Sequence, residues 1–272
     1  MTQTHSDRVF AVITAAGSGS RLGSDRPKAL VDLEGMSLVE RALRNLHAGG
    51  VGFSIITAPP AHHDEFNEAL SSPELRAISR VVPGSPLSRQ ASVAAGLDAL
   101  AEILGEEDAA RKCAISVSDP TASAVGEDTP VLIHDAARPL VSAQLVRRVI
   151  EALRSGEKAV IPGLPVADTL KSFRLIDEAS AGQVQGVRYV DATVDRAGLV
   201  AVQTPQGFPW KVIRELHRRA AASANSEATA LTDDAGLAQQ AGIPVRIVAG
   251  EGRALKITTP IDLVFARAIL AE

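Results

Sequence analysis

The feature that most constrains the fold is a regular alternation of two kinds of segment. Short apolar, β-branched runs such as RVFAVI (8–13) and PVLIHDAA (130–137) are typical of buried strands. Segments such as SLVERALRNLHAG (37–49) and SAQLVRRVIEALRSG (142–156) have helical periodicity. The same alternation includes apolar runs at 51–58 and 158–164 and helical segments at 88–104, 209–222 and 260–272. It predicts an α/β fold with a mostly parallel sheet and helices on both faces.

Two stretches interrupt this alternation. Residues 105–130 are polar and rich in turn-forming residues, which predicts a surface insertion. Residues 165–203 carry β-rich pieces around a middle rich in glycine, serine and alanine, which predicts a protruding β arm. Because the sequence shows no internal repeat and no interdomain linker, we expect residues 1–272 to form a single domain that carries both features.

Composition excludes several classes of function. The net charge of −4 gives no overall basic field, so we expect no nucleic-acid partner. Cys113 is the only cysteine, which excludes an internal disulfide and a multi-cysteine metal site. No apolar stretch approaches the roughly 20 residues needed to cross a bilayer, and the opening MTQTHSDRVF lacks the features of a secretion signal. We therefore expect a cytoplasmic protein without membrane association.

The first strand is followed by a glycine-rich loop, TAAGSGSRLGSDRPKAL, with Gly17, Gly19 and Gly23 interleaved with Arg21 and followed by Lys28. Glycine at the carboxyl end of such a strand lets backbone N–H groups approach phosphate oxygens. An arginine can bind two phosphate oxygens at once, and a lysine adds a compact positive charge. The loop therefore predicts a phosphate site. A glycine-rich turn with solvated cations is the alternative.

This loop differs from the common phosphate-binding motifs. It lacks the Lys-Ser or Lys-Thr of the P-loop, and Gly23 comes one position too late for GxGxxG. The second strand, SIITA, ends in Pro59-Pro60 rather than in an acid that could bind a ribose. A dinucleotide cofactor is therefore not expected.

The motif AAGSGSR with the following PK resembles the signature of nucleotidyltransferases, and six later motifs narrow the resemblance. They are HDAARP (134–139), ADTLK (167–171), VDR (194–196), TPQGF (204–208), TDDAG (232–236) and LKIT followed by P-x-D-L (255–263). Their order is that of the 2-C-methyl-D-erythritol 4-phosphate cytidylyltransferases, and the resemblance extends from about Val9 to Leu270. It implies a Rossmann-like nucleotidyltransferase fold.

The resemblance also implies a reaction. Enzymes of this family transfer CMP from CTP to 2-C-methyl-D-erythritol 4-phosphate by direct attack of the acceptor phosphate on the CTP α-phosphate, and they release pyrophosphate. Because the nucleophile is already an anion, positioning and dispersal of negative charge are the main tasks. The implied cofactor is Mg²⁺ or another divalent cation, bound mainly through the CTP phosphates. No protein ligand of the metal is assigned with certainty.

The resemblance assigns nucleotide contacts to the first part of the chain. Arg21 and Lys28 would bind the triphosphate and stabilise charge during the attack. Ser92, in SRQASV, would help to read the cytosine, although the preceding PGSPLSRQ departs from the GGxxR spacing of the family and an ordinary helical serine is the alternative. Backbone contacts to the nucleotide are assigned to Ala15, Ala16, Gly17 and Gly19.

The later motifs would bind the acceptor. In the family, residues matching Arg196 and Lys256 position the methylerythritol phosphate, and residues matching Thr169 and Thr204 contact it through their hydroxyls. An ammonium within ALKIT, if that segment is a strand, favours a functional role for Lys256.

The HDAARP motif would contact substrates through two side chains. Asp135 could meet hydroxyls of the ribose or of the acceptor, and Arg138 the acceptor. The alternative is an ion pair between Asp135 and Arg138 that braces the turn. His134 is expected to be structural, because an anionic nucleophile needs no general base.

The TDDAG segment has two interpretations. Asp233 and Asp234 could form a metal pair, but we prefer an acidic helix start with Thr232 as the N-cap.

In the family the arm exchanges between two protomers, so we expect a homodimer in which Thr169 and Arg196 reach the partner's site. A cytidylyltransferase acting on ribitol 5-phosphate or another sugar phosphate, and a non-catalytic nucleotide-binding module, remain the alternative functions.

Overall fold

The computed structural model describes residues 8–17, 26–105, 126–176, 187–222, 224, 226 and 230–271. The strands are β1 (Phe10–Thr14), β2 (Phe53–Ala58), β3 (Ser79–Pro83), β4 (Pro130–Asp135), β5 (Val160–Pro165), β6 (Leu170–Ile176), β7 (Val187–Val194), β8 (Val200–Val202), β9 (Gln206–Pro209) and β10 (Arg246–Ala249). The α-helices are α1 (Leu38–Ala48), α2 (His63–Ala69), α3 (Pro73–Ile78), α4 (Arg89–Gly105), α5 (Ala143–Arg154), α6 (Trp210–Arg219), α7 (Asp234–Gln240) and α8 (Pro260–Leu270).

The main sheet has the strand order β10-β5-β9-β4-β1-β2-β3. β1 pairs in parallel with β2 and with β4, β2 pairs in parallel with β3, and β10 pairs in parallel with β5. β9 runs antiparallel between β4 and β5, and β8 pairs antiparallel with β5. The predicted α/β fold with a mostly parallel sheet is confirmed.

Alternation along β1 shows how the sheet divides the core into two layers. Ala11 and Ile13 pack with the apolar faces of α1 and α5, whereas Phe10 and Val12 pack with α4 and α6. All four side chains are buried, as expected of a central strand covered by helices on both faces.

Glycine at position 96 brings α4 close to the sheet. A Cβ on Gly96 would lie 2.5 Å from Val12 Cγ1 and 3.0 Å from Thr57 Cγ2. The start of this helix is set by Ser88, whose hydroxyl accepts a hydrogen bond from Ala91 N at 3.0 Å and so caps the first turn. The close packing therefore fixes the first turn of α4 beside the ends of β1 and β2.

The predicted β arm is present as a separate two-stranded antiparallel sheet, β6 and β7. Phe173, Tyr189 and Val190 on this arm are 53%, 48% and 64% exposed. Most of the predicted surface insertion, residues 106–125, and the centre of the arm, residues 177–186, lie outside the described residues.

The sequence did not predict α2, α3, β3, β9 or β10. They are short, so each offers too little periodicity for a sequence pattern to reveal. Within the described parts of the chain, no helix combines the length and apolar character needed to cross a membrane.

Candidate active site at the carboxyl edge of the sheet

A cavity of about 600 Å³ opens at the carboxyl ends of β1 and β4. Its walls come from the loop after β1, the start of α4, the turn after β4 and the segment before α8. Open α/β sheets bind their ligands at this edge, and the volume suits a small-molecule site.

The cavity brings together seven of the predicted site residues. Those that line it are Ala15, Ala16, Gly17, Lys28, Ser92, Asp135 and Lys256. Gly19 and Arg21 lie outside the described residues. The first strand, the first turn of α4 and the HDAARP turn thus form one site although they are far apart in sequence.

Backbone hydrogen bonds position the loop after β1. Ala15 N donates to Thr57 O at 3.0 Å, and Gly84 N donates to Ala58 O at 2.6 Å. A Cβ on Gly84 would lie 3.1 Å from the Cβ of Ala16, so glycine allows the loop before α4 to approach the backbone of the loop after β1 closely. Lys28 is half-buried in a short 3-10 helix that follows Pro27.

Ser92 lies on the wall of the cavity, where its hydroxyl braces the loop before α4. It accepts a hydrogen bond from Ser85 N at 3.1 Å and lies 3.0 Å from Ser85 O and 3.2 Å from Ser88 O. The side chain is 1% exposed. Ser92 therefore holds the shape of the loop that faces the cavity.

Asp135 is the most heavily contacted acid of the site. Its Oδ1 accepts hydrogen bonds from Arg89 Nε at 3.0 Å and from Thr14 Oγ1 at 3.2 Å, while its Oδ2 lies 2.8 Å from Lys256 Nζ. Burial alone would raise the pKa of this carboxyl, but Arg89 and Lys256 outweigh it and hold that pKa far below its usual range. Asp135 therefore remains ionised and joins two cations.

The alternative ion pair between Asp135 and Arg138 is wrong. Arg138 donates instead to two backbone carbonyls, Ala254 O at 2.8 Å and Val202 O at 3.2 Å, while Asp135 pairs with Arg89 and Lys256. Arg138 therefore ties the turn after β4 to the segment before α8 and to β8.

His134 and Thr204 form a buried pair behind Asp135. His134 Nε2 lies 3.2 Å from Arg138 O, a group that can only accept, so Nε2 carries the proton. Its Nδ1 then accepts from Thr204 Oγ1 at 3.0 Å, and the same hydroxyl accepts from Asp135 N at 3.1 Å. Burial lowers the pKa of His134 to about 4, in agreement with the expected structural role.

Arg89 was missed as a site residue, whereas Asp234 was considered as one of a metal pair or as part of an acidic helix start, without its contact to Arg89. Arg89 Nη1 donates to Asp234 Oδ2 at 2.8 Å while its Nε holds Asp135. Burial opposes the charged forms, but the ion pairing raises the pKa of Arg89 and lowers the pKa of Asp234 to about 2. Arg89 lies in PGSPLSRQ, the stretch that departs from the GGxxR spacing of the family. Its position three residues before Ser92 was the sequence signal that could have identified it.

Two local expectations need correction. The N-cap of α7 is Asp233, whose side chain accepts from Gly236 N at 3.0 Å, rather than Thr232. Lys256 does not lie in a strand but in an irregular segment between β10 and α8, attached to the turn after β4 by Ile257 N donating to Ala137 O at 2.8 Å. That attachment places the ammonium over Asp135.

Known proteins resemble this chain along nearly its whole length. The sequence profile of 2-C-methyl-D-erythritol 4-phosphate cytidylyltransferase matches residues 114–272, and that of the MobA-like NTP transferase domain matches residues 11–169. A 2-C-methyl-D-erythritol 4-phosphate cytidylyltransferase of Rhodococcus jostii is 41% identical over 97% of this chain and 96% of its own. The chain belongs to the 2-C-methyl-D-erythritol 4-phosphate cytidylyltransferase family.

Another cytidylyltransferase of this family, from Saccharopolyspora erythraea, is 40% identical over 97% of this chain and 99% of its own. The solved structure of the Thermus thermophilus family member is 31% identical, with a TM-score of 0.66 over 97% of this chain and 100% of that chain. The 4-diphosphocytidyl-2C-methyl-D-erythritol synthase structure from Anaerococcus prevotii is 28% identical, with a TM-score of 0.68 over 98% of this chain and 100% of that chain. The nucleotidyltransferase fold is thereby confirmed.

Four described residues assigned from the family resemblance do not line the cavity: Arg138 and Thr204, which hydrogen-bond to the backbone of Asp135, and Thr169 and Arg196 on the arm. Thr169 precedes β6 and Arg196 follows β7, and both side chains are exposed. Arg196 Nη1 donates to Ala167 O, which joins the two ends of the arm. In this single cytidylyltransferase-family chain, the arm residues and the cavity residues therefore form separate groups.

Proposed function

We propose that this protein transfers CMP from CTP to 2-C-methyl-D-erythritol 4-phosphate, giving 4-diphosphocytidyl-2-C-methyl-D-erythritol and pyrophosphate. Membership of the family over nearly the whole chain supports the reaction. The observation that carries it is the cavity at the carboxyl edge of the sheet, where Lys28, Arg89 and Lys256 surround a space suited to an anionic ligand.

The chemistry requires no protein base. An oxygen of the acceptor phosphate forms a bond to the CTP α-phosphorus, the bond from that phosphorus to the β-phosphate bridging oxygen breaks, and the electron pair leaves with pyrophosphate. His134 is buried and held neutral, so it is suited to support the turn rather than to remove a proton. Charge dispersal by lysine and arginine is the main contribution of the chain.

We assign the two substrates to opposite parts of the cavity. The backbone at Ala15, Ala16, Gly17 and Gly19 would approach the nucleotide, with Arg21 and Lys28 on its triphosphate and Ser92 shaping the loop that receives the base. At the acceptor end, Lys256 would contact the phosphate of the acceptor and Asp135 a hydroxyl of the acceptor or of the ribose, supported by Arg138 and Thr204. The hydrogen bonds that fix Asp135 and Lys256 support this assignment.

Magnesium would enter with CTP as the nucleotide complex and would neutralise part of the triphosphate charge. The described residues contain no group of three or more His, Cys, Asp or Glu side chains that could hold a metal. Both oxygens of Asp135 already bind protein cations. These contacts favour a metal held by phosphate oxygens and water, as Mg²⁺ often is.

We also propose a homodimer, with residues 1–272 of each copy forming one domain. A two-stranded hairpin is marginally stable alone, and the arm exposes Phe173, Tyr189 and Val190. A second copy would cover these side chains and receive Thr169 and Arg196 at its acceptor site. Neither residue lines the cavity of its own chain, which supports an exchanged arm.

Pyrophosphate release tests the reaction. Purified protein with Mg²⁺ and CTP should release pyrophosphate with 2-C-methyl-D-erythritol 4-phosphate, and should not do so with ribitol 5-phosphate, without acceptor, or with ATP, GTP or UTP. Lys256→Ala should reduce the rate, whereas Lys158→Ala, at an exposed lysine paired with Asp128, should not. If ribitol 5-phosphate were the only acceptor that supports pyrophosphate release from CTP, the acceptor would be a different one. No release under any condition would favour a non-catalytic nucleotide-binding module.

Mixing two strongly impaired variants tests the exchanged arm. Lys256→Ala disables the core part of a site, and Arg196→Ala disables the arm part. In an exchanged dimer the heterodimer combines both defects in one site and leaves the other intact. Random mixing should therefore restore about a quarter of the wild-type activity. Absence of any restoration, with heterodimers demonstrated by differential tagging, would show that each arm serves its own chain.

A further inference from the structure

A series of four side chains with alternating charge extends from the protein interior into the cavity. Asp234 is fully buried, and its two oxygens accept from His217 Nε2 at 2.8 Å and Arg89 Nη1 at 2.8 Å. Arg89 binds Asp135 through Nε at 3.0 Å, and Asp135 binds Lys256 at 2.8 Å. The order Asp234, Arg89, Asp135, Lys256 thus contains two anions and two cations.

Asp234 can influence the cavity only indirectly. It lies at the start of α7, is 0% exposed and does not contribute to the cavity wall, whereas Arg89 is 21% exposed and does. Among the described residues, two side chains face Asp234, namely Arg89 and His217, and Arg89 is the one that also binds Asp135. A buried carboxylate of this kind fixes the direction of the guanidinium bound to it, because a planar fork has a defined hydrogen-bonding geometry.

Loss of the Asp234 charge would change the contacts of Arg89 and Asp135, and through them the position of Lys256. Arg89 would keep its charge but would lose one of the two described carboxylates that bind it, and the buried guanidinium would then compete more strongly for Asp135. Asp135 has one other carboxylate oxygen that Arg89 could bind, and this oxygen now contacts Lys256. A guanidinium that takes both oxygens would displace the ammonium from its present position.

We propose that Asp234, acting through Arg89, is a positioning residue that orients Asp135 and thereby places Lys256 at the acceptor end of the site. The inference rests on the proposed function. It assigns the role of Asp234 to substrate placement rather than to fold stability alone, and it gives the acidic start of α7 a task at the site.

The test compares Asp234→Asn with wild type in steady-state kinetics and in CTP binding by calorimetry. We expect the variant to lose about tenfold in kcat/KM for 2-C-methyl-D-erythritol 4-phosphate, as for loss of one positioning hydrogen bond to a charged group. The Kd for CTP in the absence of acceptor should stay within about twofold. Asp233→Asn is the matched control, because Asp233 caps the same helix and binds Gln206 but does not bind Arg89.

A double-mutant cycle separates positioning from stability. In a Lys256→Ala background, assayed at higher enzyme concentration, Asp234→Asn should lower kcat/KM for the acceptor little further. The ammonium that Asp234 is proposed to position is already absent from that background. The same loss in both backgrounds, equal losses for CTP and acceptor, or an equal kinetic loss in Asp233→Asn would overturn the proposal. If Asp234→Asn does not fold, Arg89→Lys supplies the same comparison, since it keeps the charge but loses the two-sided geometry.

An inactive wild-type enzyme would refute the proposed function instead. In that event the orientation of Lys256 still has a direct readout, because crystal structures of wild type and Asp234→Asn give the distance from Lys256 Nζ to Asp135 Oδ2. An unchanged distance would overturn the inference, and an increased distance would support it.

Discussion

Replacement of His134 should alter how stability depends on pH. The imidazole is 0% exposed, and burial lowers its pKa from 6.5 to about 4. In the unfolded chain the same group takes up a proton near pH 6.5. The unfolded state therefore binds more protons between these values, and the folded protein loses stability as the pH falls through them.

The magnitude follows from the two pKa values. Each pH unit in this interval is worth about 1.4 kcal/mol, so acidification from about pH 7 to about pH 4.5 should remove about 2 kcal/mol through His134 alone. The carboxyl groups of Asp135 and Asp234 have lowered pKa values, so their contributions are lost only at pH values below about 4. Above about pH 4.5 the effect of His134 protonation on stability can consequently be measured without a contribution from these two carboxyl groups.

Urea unfolding followed by circular dichroism over this pH range is the measurement. His134→Gln keeps an amide that can donate to Arg138 O but removes the titration. The variant is expected to be less stable at neutral pH, yet it should lose about 2 kcal/mol less than wild type on acidification. Parallel curves for the two proteins, with unchanged m-values, would refute the reasoning.

Three further predictions concern other residues. Lys28→Ala should mainly lower turnover with CTP, whereas Arg196→Ala should act mainly through the acceptor; equal and small effects in steady-state kinetics would contradict both roles. Ser92→Ala should release Ser85 and raise the KM for CTP by about fivefold to tenfold, since a lost buried hydrogen bond costs about 1 kcal/mol; an unchanged KM would show that the loop holds without it. Gly96→Ala should destabilise the fold by about 1–3 kcal/mol in urea unfolding, because the added Cβ would lie 2.5 Å from a core methyl group; unchanged stability would mean that α4 moves away freely.

The sequence predicted the parallel sheet because β1 and β4 are apolar, β-branched runs flanked by helices with strong periodicity. It did not predict β9 between β4 and β5, since a four-residue segment QGFP carries too little pattern to indicate a strand or its direction. Two motifs predicted where the cavity lies, because the glycine-rich loop and HDAARP each come at the carboxyl end of a strand. The pairing of Arg89 with Asp135 and Asp234 depends on contacts across 46 and 145 residues, which no local pattern contains.

The proposed acceptor contacts of the arm were the hardest part of the site to derive for a different reason. Thr169 and Arg196 lie on an arm whose apolar side chains, such as Phe173 and Val190, are largely exposed in one chain. The family resemblance could assign roles to them because its motifs cover the arm as well as the cavity. The structure of a single chain accounts only for the residues around the cavity.

The two neighbours His134 and Asp135 indicate where the pH dependence of the reaction should originate. Burial holds the imidazole neutral, and two cations hold the carboxylate ionised, so neither group changes charge near neutral pH. The acceptor is a phosphate monoester, whose second ionisation has a pKa of about 6. Because the doubly ionised phosphate is the stronger nucleophile and the better ligand for lysine and arginine, the acceptor rather than the protein should set the acidic limit of catalysis. His134 and Asp135 thus keep a constant charge while the substrate titrates, which is consistent with an enzyme that positions an anion and removes no proton.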